Sequence, residues 1–193
     1  MLIVVTGNGK GKTTSALGQS LRMIGRGKKV LIIQFIKGPW KSGEDEFVAK
    51  LKNQKEKLNS EQASGLENLY GFEIRKRGLG FVGILDDNLP FDEHKKSAQN
   101  ALKEFEFELK LASPKGGWDM IVLDEINVAV SLKLLTVEEV LRAVKNVPLE
   151  KFVMLTGRSA PQEFIDIADL VSEVKEIKHP FNDGKLAKIA LEF

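Results

Sequence analysis

The chain has 193 residues, of which 42% are hydrophobic and 29% charged, a balance typical of a globular protein. Its net charge of +2 gives no indication of a nucleic-acid surface. The absence of cysteine excludes disulfides and thiolate nucleophiles, and two histidines are too few for a multi-histidine metal site.

The hydrophobic pattern predicts buried strands that alternate with helices. No apolar run approaches the ~20 residues of a membrane span, and the first residues are typical of a strand rather than a signal peptide, so we expect a cytoplasmic protein without membrane contact. Strands are predicted at residues 2–5, 29–35, 72–78, 120–125, 152–156, 170–177 and 186–191, and helices at residues 12–24, 44–62, 91–112, 137–144 and 161–167. This order predicts one α/β domain spanning residues 1–193, with a mostly parallel sheet and helices on both faces.

The first strand runs into "TGNGKGKTT", a variant of the Walker A loop G-x-x-x-x-G-K-[ST]. Counting back from Gly11 places Thr6 where the first glycine should be, and counting from Gly7 leaves the loop one residue short. Lys12 is expected to neutralise phosphate oxygens and Thr13 to bind Mg²⁺ through its hydroxyl. The residues predicted to bind ATP are Gly7, Asn8, Gly9, Lys10, Gly11, Lys12, Thr13 and Thr14. The fold is therefore expected to be P-loop NTPase-like (RecA-like).

Two further motifs follow later strands. "WDMIVLDEI" places Asp124 and Glu125 at the carboxyl end of a buried strand, as in a Walker B motif, where one acid binds Mg²⁺ and, in a hydrolase, the other orients water. "LTGRSAP" places Arg158 at the same edge, where a guanidinium grips phosphate oxygens. These residues predict a Mg-ATP site and leave ATPase, kinase, switch and transferase open.

The combined motifs resemble the P-loop-type ATP:corrinoid adenosyltransferases. "GNGKGKTTSALG", "GRGKKVLIIQFIKG", "GLGF", "WDMIVLDEI", "LTGR" and "ADLVSEVKEIKHPFNDG" occur in that family's order over almost the whole chain. The resemblance implies transfer of the 5′-deoxyadenosyl group of ATP to Co(I) of a corrinoid, with triphosphate leaving, in adenosylcobalamin biosynthesis or salvage. It also implies Mg²⁺, a homodimer and a flavoprotein or similar electron donor.

The resemblance assigns roles within the predicted site. A short loop is normal in this family, and ATP lies reversed relative to kinases. Thr13 and Glu125 would carry Mg²⁺ with Asp124 close by, and the implied catalytic residues are Lys12, Glu125 and Arg158. Family members often have "GFTW" where this chain has "GFVG", so Phe81 is the implied corrinoid contact, while Val82 and Gly83 replace threonine and tryptophan.

Two alternatives to adenosyl transfer stay open: a P-loop ATPase or kinase of the same architecture, and a non-catalytic ATP-binding protein. "DEHKKS" nearly matches D-x-H-x-x-G, a cobalt-ligating motif of cobalamin mutases, but Ser97 replaces the glycine. We therefore predict that His94 is a surface residue in the first turn of a helix. His179 lies in the family's tail pattern and has no predicted chemical role.

Overall fold

The computed structural model describes residues 1–57, 71–83, 87–111 and 117–180, together with Gly184 and Leu186. The helices are α1 (Lys12–Ile24), α2 (Gly43–Lys57), α3 (Phe91–Lys110), α4 (Ile126–Ser131), α5 (Val137–Val144) and α6 (Gln162–Ile167). The strands are β1 (Leu2–Thr6), β2 (Val30–Gln34), β3 (Phe72–Lys76), β4 (Met120–Asp124), β5 (Phe152–Thr156) and β6 (Leu170–Glu173). Within these ranges no helix is long and apolar enough to cross a bilayer.

The strands form one sheet in the order β3-β2-β4-β5-β1-β6, and every neighbouring pair is parallel. The α/β fold with a parallel sheet is therefore confirmed. Because the strands are parallel, their carboxyl ends share one edge, and the chain segments that leave those ends meet there.

Side chains alternate between the two faces of the sheet and build two cores. On one face, Val4 and Leu123 belong to a large cluster with Phe105 of α3 and Phe164 of α6. On the other face, strand residues such as Val122 pack with residues from α1 and α2. Helices thus cover both faces, as the alternating pattern predicted.

Some predicted boundaries are wrong. β6 ends at Glu173 rather than at residue 177, because the chain then leaves the sheet and contacts the loop after β1. Helix α4 has no sequence prediction, and its "INVAVS" is rich in β-branched residues, which are weak helix formers. The predicted strand at residues 186–191 lies outside the described residues except for Leu186, as do residues 58–62 of the second predicted helix and Ala112 of the third.

We predict that Phe105→Ala lowers the free energy of unfolding by about 3–5 kcal/mol, since it leaves a cavity in a fully buried position. Phe107→Ala, on the same helix but 63% exposed, is the matched control and should change it by less than about 0.5 kcal/mol. Urea denaturation measures both. Equal losses would show that α3 does not bury the face assigned to it.

Candidate functional site

The loop between β1 and α1 packs against the chain that follows β6. The Val174 amide donates to the Thr6 carbonyl at 2.8 Å, and the Gly9 amide donates to the Val174 carbonyl at 2.7 Å. A Cβ at Gly7 would lie 2.4 Å from the Val174 carbonyl oxygen, and one at Gly9 would lie 2.7 Å from that of Lys175. Both positions require glycine because another backbone crosses there.

Thr6 occupies the position where the Walker A pattern has its first glycine. It is the last residue of β1, and its hydroxyl accepts a hydrogen bond from the Ala160 amide at 3.1 Å. Its carbonyl is the acceptor for Val174. The strand therefore extends through position 6, where Thr6 ties β1 to the segments after β5 and β6, and the loop begins only at Gly7.

The loop leads into the N-terminus of α1, which is open to an anion. Gly11 is the N-cap with φ 117°, it makes no side-chain cap, and the first turn carries no acidic residue. Free first-turn amides and the helix dipole favour a negative ligand there. Lys12 is buried, and its Nζ donates to the Gly9 carbonyl at 2.7 Å. Burial lowers the pKa of Lys12, and the nearby Glu125 carboxylate opposes that shift.

A cavity of about 660 Å³ opens beside the N-terminus of α1. Its walls come from the loop and the length of α1, from the segment after β2 and the start of α2, from the first residue of β3, and from the residues that follow β4 and β5. The lining residues are Lys10, Gly11, Lys12, Thr13, Thr14, Leu17, Ser20, Leu21, Ile24, Lys37, Ser42, Gly43, Glu44, Phe47, Phe72, Glu125 and Arg158.

The cavity brings together many but not all of the predicted residues. Lys10 to Thr14, Glu125 and Arg158 line it, whereas Gly7, Asn8, Gly9, Asp124 and Phe81 are not among its lining residues. The prediction from sequence missed Lys37 and Glu44, which line the wall as an ion pair. Their position just after a buried strand in "QFIKG…GE" is the signal that could have identified them.

Asp124 lies fully buried behind the cavity wall. Its Oδ1 accepts hydrogen bonds from the hydroxyls of Thr13, at 2.9 Å, and Thr156, at 2.8 Å. Its Oδ2 accepts one from the Gln34 amide at 3.1 Å. These donors satisfy the buried carboxylate and fix the Thr13 hydroxyl at the start of α1.

Glu125 has a different environment although it is the next residue. Its φ of 63° is unusual for a side chain of this size, and its amide donates to the Thr156 hydroxyl at 3.0 Å. The side chain lines the cavity, where burial raises the pKa of Glu125 and the neighbouring Asp124 charge adds to that rise. The turn thus sends one acid into the core and the other toward the cavity.

The donor set fits Mg²⁺ held jointly by protein and phosphate. Thr13 and Glu125 offer a hydroxyl and a carboxylate, which are hard oxygen ligands, and Mg²⁺ commonly takes one or two carboxylates plus phosphates and waters. The described residues contain no group of three or more His, Cys, Asp or Glu placed to hold a metal alone.

Arg158 reaches the cavity from a constrained turn after β5. Gly157, with φ 130°, donates to the Val5 carbonyl at 3.2 Å and accepts from the buried Asn127 amide at 3.1 Å. A Cβ at Gly157 would lie 3.2 Å from Glu125 Oε2. The turn therefore holds the exposed Arg158 side chain beside the acid.

The prediction that His94 is a surface residue is wrong. His94 is 3% exposed, and its Nε2 lies 3.2 Å from Asp87 Oδ1. Asp87 also accepts hydrogen bonds from the amides of Gly83 and Leu89, so the chain before α3 folds over the start of the helix. With Nε2 engaged by Asp87, His94 is not placed as a cobalt ligand.

Comparison with known proteins places the whole chain among one set of enzymes. Residues 1–193 match the model of a family described as ATP:corrinoid adenosyltransferase BtuR/CobO/CobP. The chain is 33% identical over 193 residues to the corrinoid adenosyltransferase of Escherichia coli (strain K12). This match covers 100% of this chain and 85% of that protein. It is 34% identical to corrinoid adenosyltransferase CobA of Salmonella typhimurium, with the same coverage, and 34% identical to a Sinorhizobium sp corrinoid adenosyltransferase, with coverage of 100% and 80%.

We predict that Gly9→Ala lowers the free energy of unfolding by about 2 kcal/mol and raises the Kd of Mg-ATP about tenfold. The added Cβ collides with the Lys175 backbone and shifts the loop. Gly18→Ala, in the middle of α1 with open space around its Cβ, should leave ATP affinity unchanged and stabilise the fold slightly. Thermal denaturation and calorimetric titration test both. A wild-type free energy of unfolding and a wild-type Kd in Gly9→Ala would show that residues 174–175 move aside without an energetic cost.

Proposed function

The chain belongs to the ATP:corrinoid adenosyltransferase family, and we propose that it transfers the 5′-deoxyadenosyl group of ATP to Co(I) of a corrinoid and releases triphosphate. The match of the family over residues 1–193 carries the proposal. The cavity at the N-terminus of α1 supports it, because a helix N-terminus with lysine and arginine around it suits a triphosphate.

The chemistry explains which groups the site needs. The electron pair of Co(I) forms the bond to C5′, the C5′–O bond breaks, and its pair leaves with triphosphate. No proton is removed from the nucleophile, so no general base is required. The catalytic demand is to stabilise negative charge on the leaving group, and Lys12 and Arg158 at the cavity wall supply opposite charge.

We assign the loop residues two different tasks. Lys12 and the backbone amides from Lys10 to Thr14 bind the triphosphate, with Lys12 exchanging the Gly9 carbonyl for phosphate oxygens. Gly7, Asn8 and Gly9 shape the loop, since the Gly9 amide already donates to Val174. Arg158, which also lines the cavity, contacts phosphate.

Mg²⁺ is the proposed cofactor, with Thr13 and Glu125 as its protein ligands. When bound, it neutralises part of the triphosphate charge and so improves the leaving group. Asp124 acts through Thr13, because it accepts a hydrogen bond from the Thr13 hydroxyl and leaves the lone pairs of the hydroxyl oxygen available for the metal. Thr156 and Gln34 keep Asp124 in that orientation.

The family resemblance motivates further proposals about context. We propose that residues 1–193 fold as a single domain, that two copies form a homodimer, and that the enzyme works in the cytoplasm. A flavoprotein is the proposed source of electrons for cobalt. ATP and a reduced corrinoid are the proposed substrates.

The phosphorus product separates this reaction from the ATPase and kinase alternatives. We expect one triphosphate per adenosylated corrinoid when the protein is incubated with Mg-ATP and chemically reduced cob(I)alamin, measured by phosphorus NMR and the corrinoid spectrum. Without corrinoid, no phosphate product should form. Steady release of ADP in that control would contradict the proposal and favour hydrolysis or kinase chemistry.

Lys12→Ala should lower kcat/KM about a hundredfold, because a buried cation opposite the leaving group is worth about 3 kcal/mol in the transition state. Lys10→Ala is the matched comparison. Lys10 is exposed, so its charge is screened and its loss should cost less than about fivefold. Steady-state kinetics with both substrates varied measures the difference. Equal losses would place the triphosphate away from Lys12.

A further inference from the structure

An aromatic pair stands exposed beside the cavity, on two different loops. The ring centroids of Trp40 and Phe81 are 5.7 Å apart with their planes at 34°. Trp40 is 60% exposed and Phe81 is 45% exposed. Two large adjacent aromatic rings open to solvent are more typical of a binding surface than of an ordinary protein surface.

The indole of Trp40 is held in place by its surroundings. A Cβ at Gly38 would lie 2.7 Å from the Trp40 ring, and one at Gly80 would lie 3.0 Å from it, so both loops need glycine to admit the indole. Lys76 Nζ donates to the Trp40 carbonyl and pairs with Asp45 at the start of α2. The ring is therefore preorganised, and little conformational freedom remains to be lost when a ligand covers it.

The pair lies at the edge of the sheet that carries the candidate site. Trp40 follows the carboxyl end of β2, and Phe81 follows that of β3. Lys37 and Ser42, three residues before and two residues after Trp40, both line the cavity with Lys12 and Thr13. An extended chain spans at most ~3.6 Å per residue, so the Cα of Trp40 is within about 7 Å of the Cα of Ser42.

Position 83 supplies no aromatic contact in this chain. Gly83 has φ 69°, no described atom lies near a Cβ built there, and its amide is held by Asp87 at 2.8 Å. Among the described residues, the indole beside Phe81 is that of Trp40. The aromatic surface is thus assembled from two segments that lie about forty residues apart in sequence.

We propose that Trp40 is a corrinoid-binding residue and that it forms with Phe81 the surface on which the corrin ring of the substrate lies. The inference rests on the proposed function. A corrin ring is a flat conjugated macrocycle with an apolar face, which aromatic rings contact well. With the triphosphate at the N-terminus of α1, this surface places the ring next to the nucleotide, as attack of cobalt on C5′ requires.

Trp40→Leu and Trp40→Phe test the proposal in the full-length protein. The Kd of cob(II)alamin, measured by anaerobic equilibrium dialysis with saturating Mg-ATP, should rise about tenfold in Trp40→Leu and less than about threefold in Trp40→Phe. The Kd of Mg-ATP should stay within about twofold of wild type in both variants. Phe107→Ala, which removes an exposed aromatic ring from α3, is the control and should change neither constant.

Three outcomes would overturn the inference: an unchanged corrinoid Kd in Trp40→Leu, an equal loss of ATP affinity, or a changed molar mass by light scattering with corrinoid affinity intact. The last would mean that the pair covers a second copy of the chain. Thermal denaturation of each variant excludes a folding defect as the cause, and if Trp40→Leu is unstable, Phe81→Leu removes the other ring of the pair and should give the same rise of about tenfold in the corrinoid Kd. Binding is read without turnover, so a wild-type protein that binds cob(II)alamin but transfers nothing would overturn only the proposed function.

Discussion

The hydrogen bonds around the buried Asp124 carboxylate are the constraint on which the site depends. They join Gln34 at the end of β2, Thr156 at the end of β5 and Thr13 at the start of α1 to the end of β4. An unpaired buried charge is strongly unfavourable, so the three donors must be present together. This requirement fixes the position of α1 relative to the sheet edge, and with it the position of the loop between β1 and α1.

The charges that face the cavity are each disfavoured by their surroundings. Burial lowers the pKa of Lys12 and raises the pKa of Glu125, so both ionised forms lack the solvation they have in water. A phosphate beside Lys12 and a divalent cation beside Glu125 each favour the charged form again. With Mg²⁺ and ATP bound as proposed above, the affinities for nucleotide and metal are coupled through these two side chains.

The sequence pattern predicted those parts of the molecule that are determined by residues adjacent in sequence. Strand β1, the glycine loop and α1 follow from adjacent residues, as does the placement of Asp124 and Glu125 after four buried residues of β4. The buried position of His94 depends on Asp87 folding back across the helix start, and the contact of Trp40 with Phe81 depends on two separate loops. No periodicity encodes such contacts. The split between an inward Asp124 and an outward Glu125 likewise depends on one unusual backbone angle.

The crossing of residues 7–9 by residues 174–175 ties the order of assembly to the order of synthesis. Translation makes the glycine loop before the elements from α1 to β6, but the hydrogen bonds that hold it come from a segment made more than 160 residues later. Contacts so distant in sequence form only after a large loop has closed, which slows their appearance. The loop at residues 7–11 is thus translated well before the segment that holds it, and its hydrogen bonds are completed only after β6 has been made.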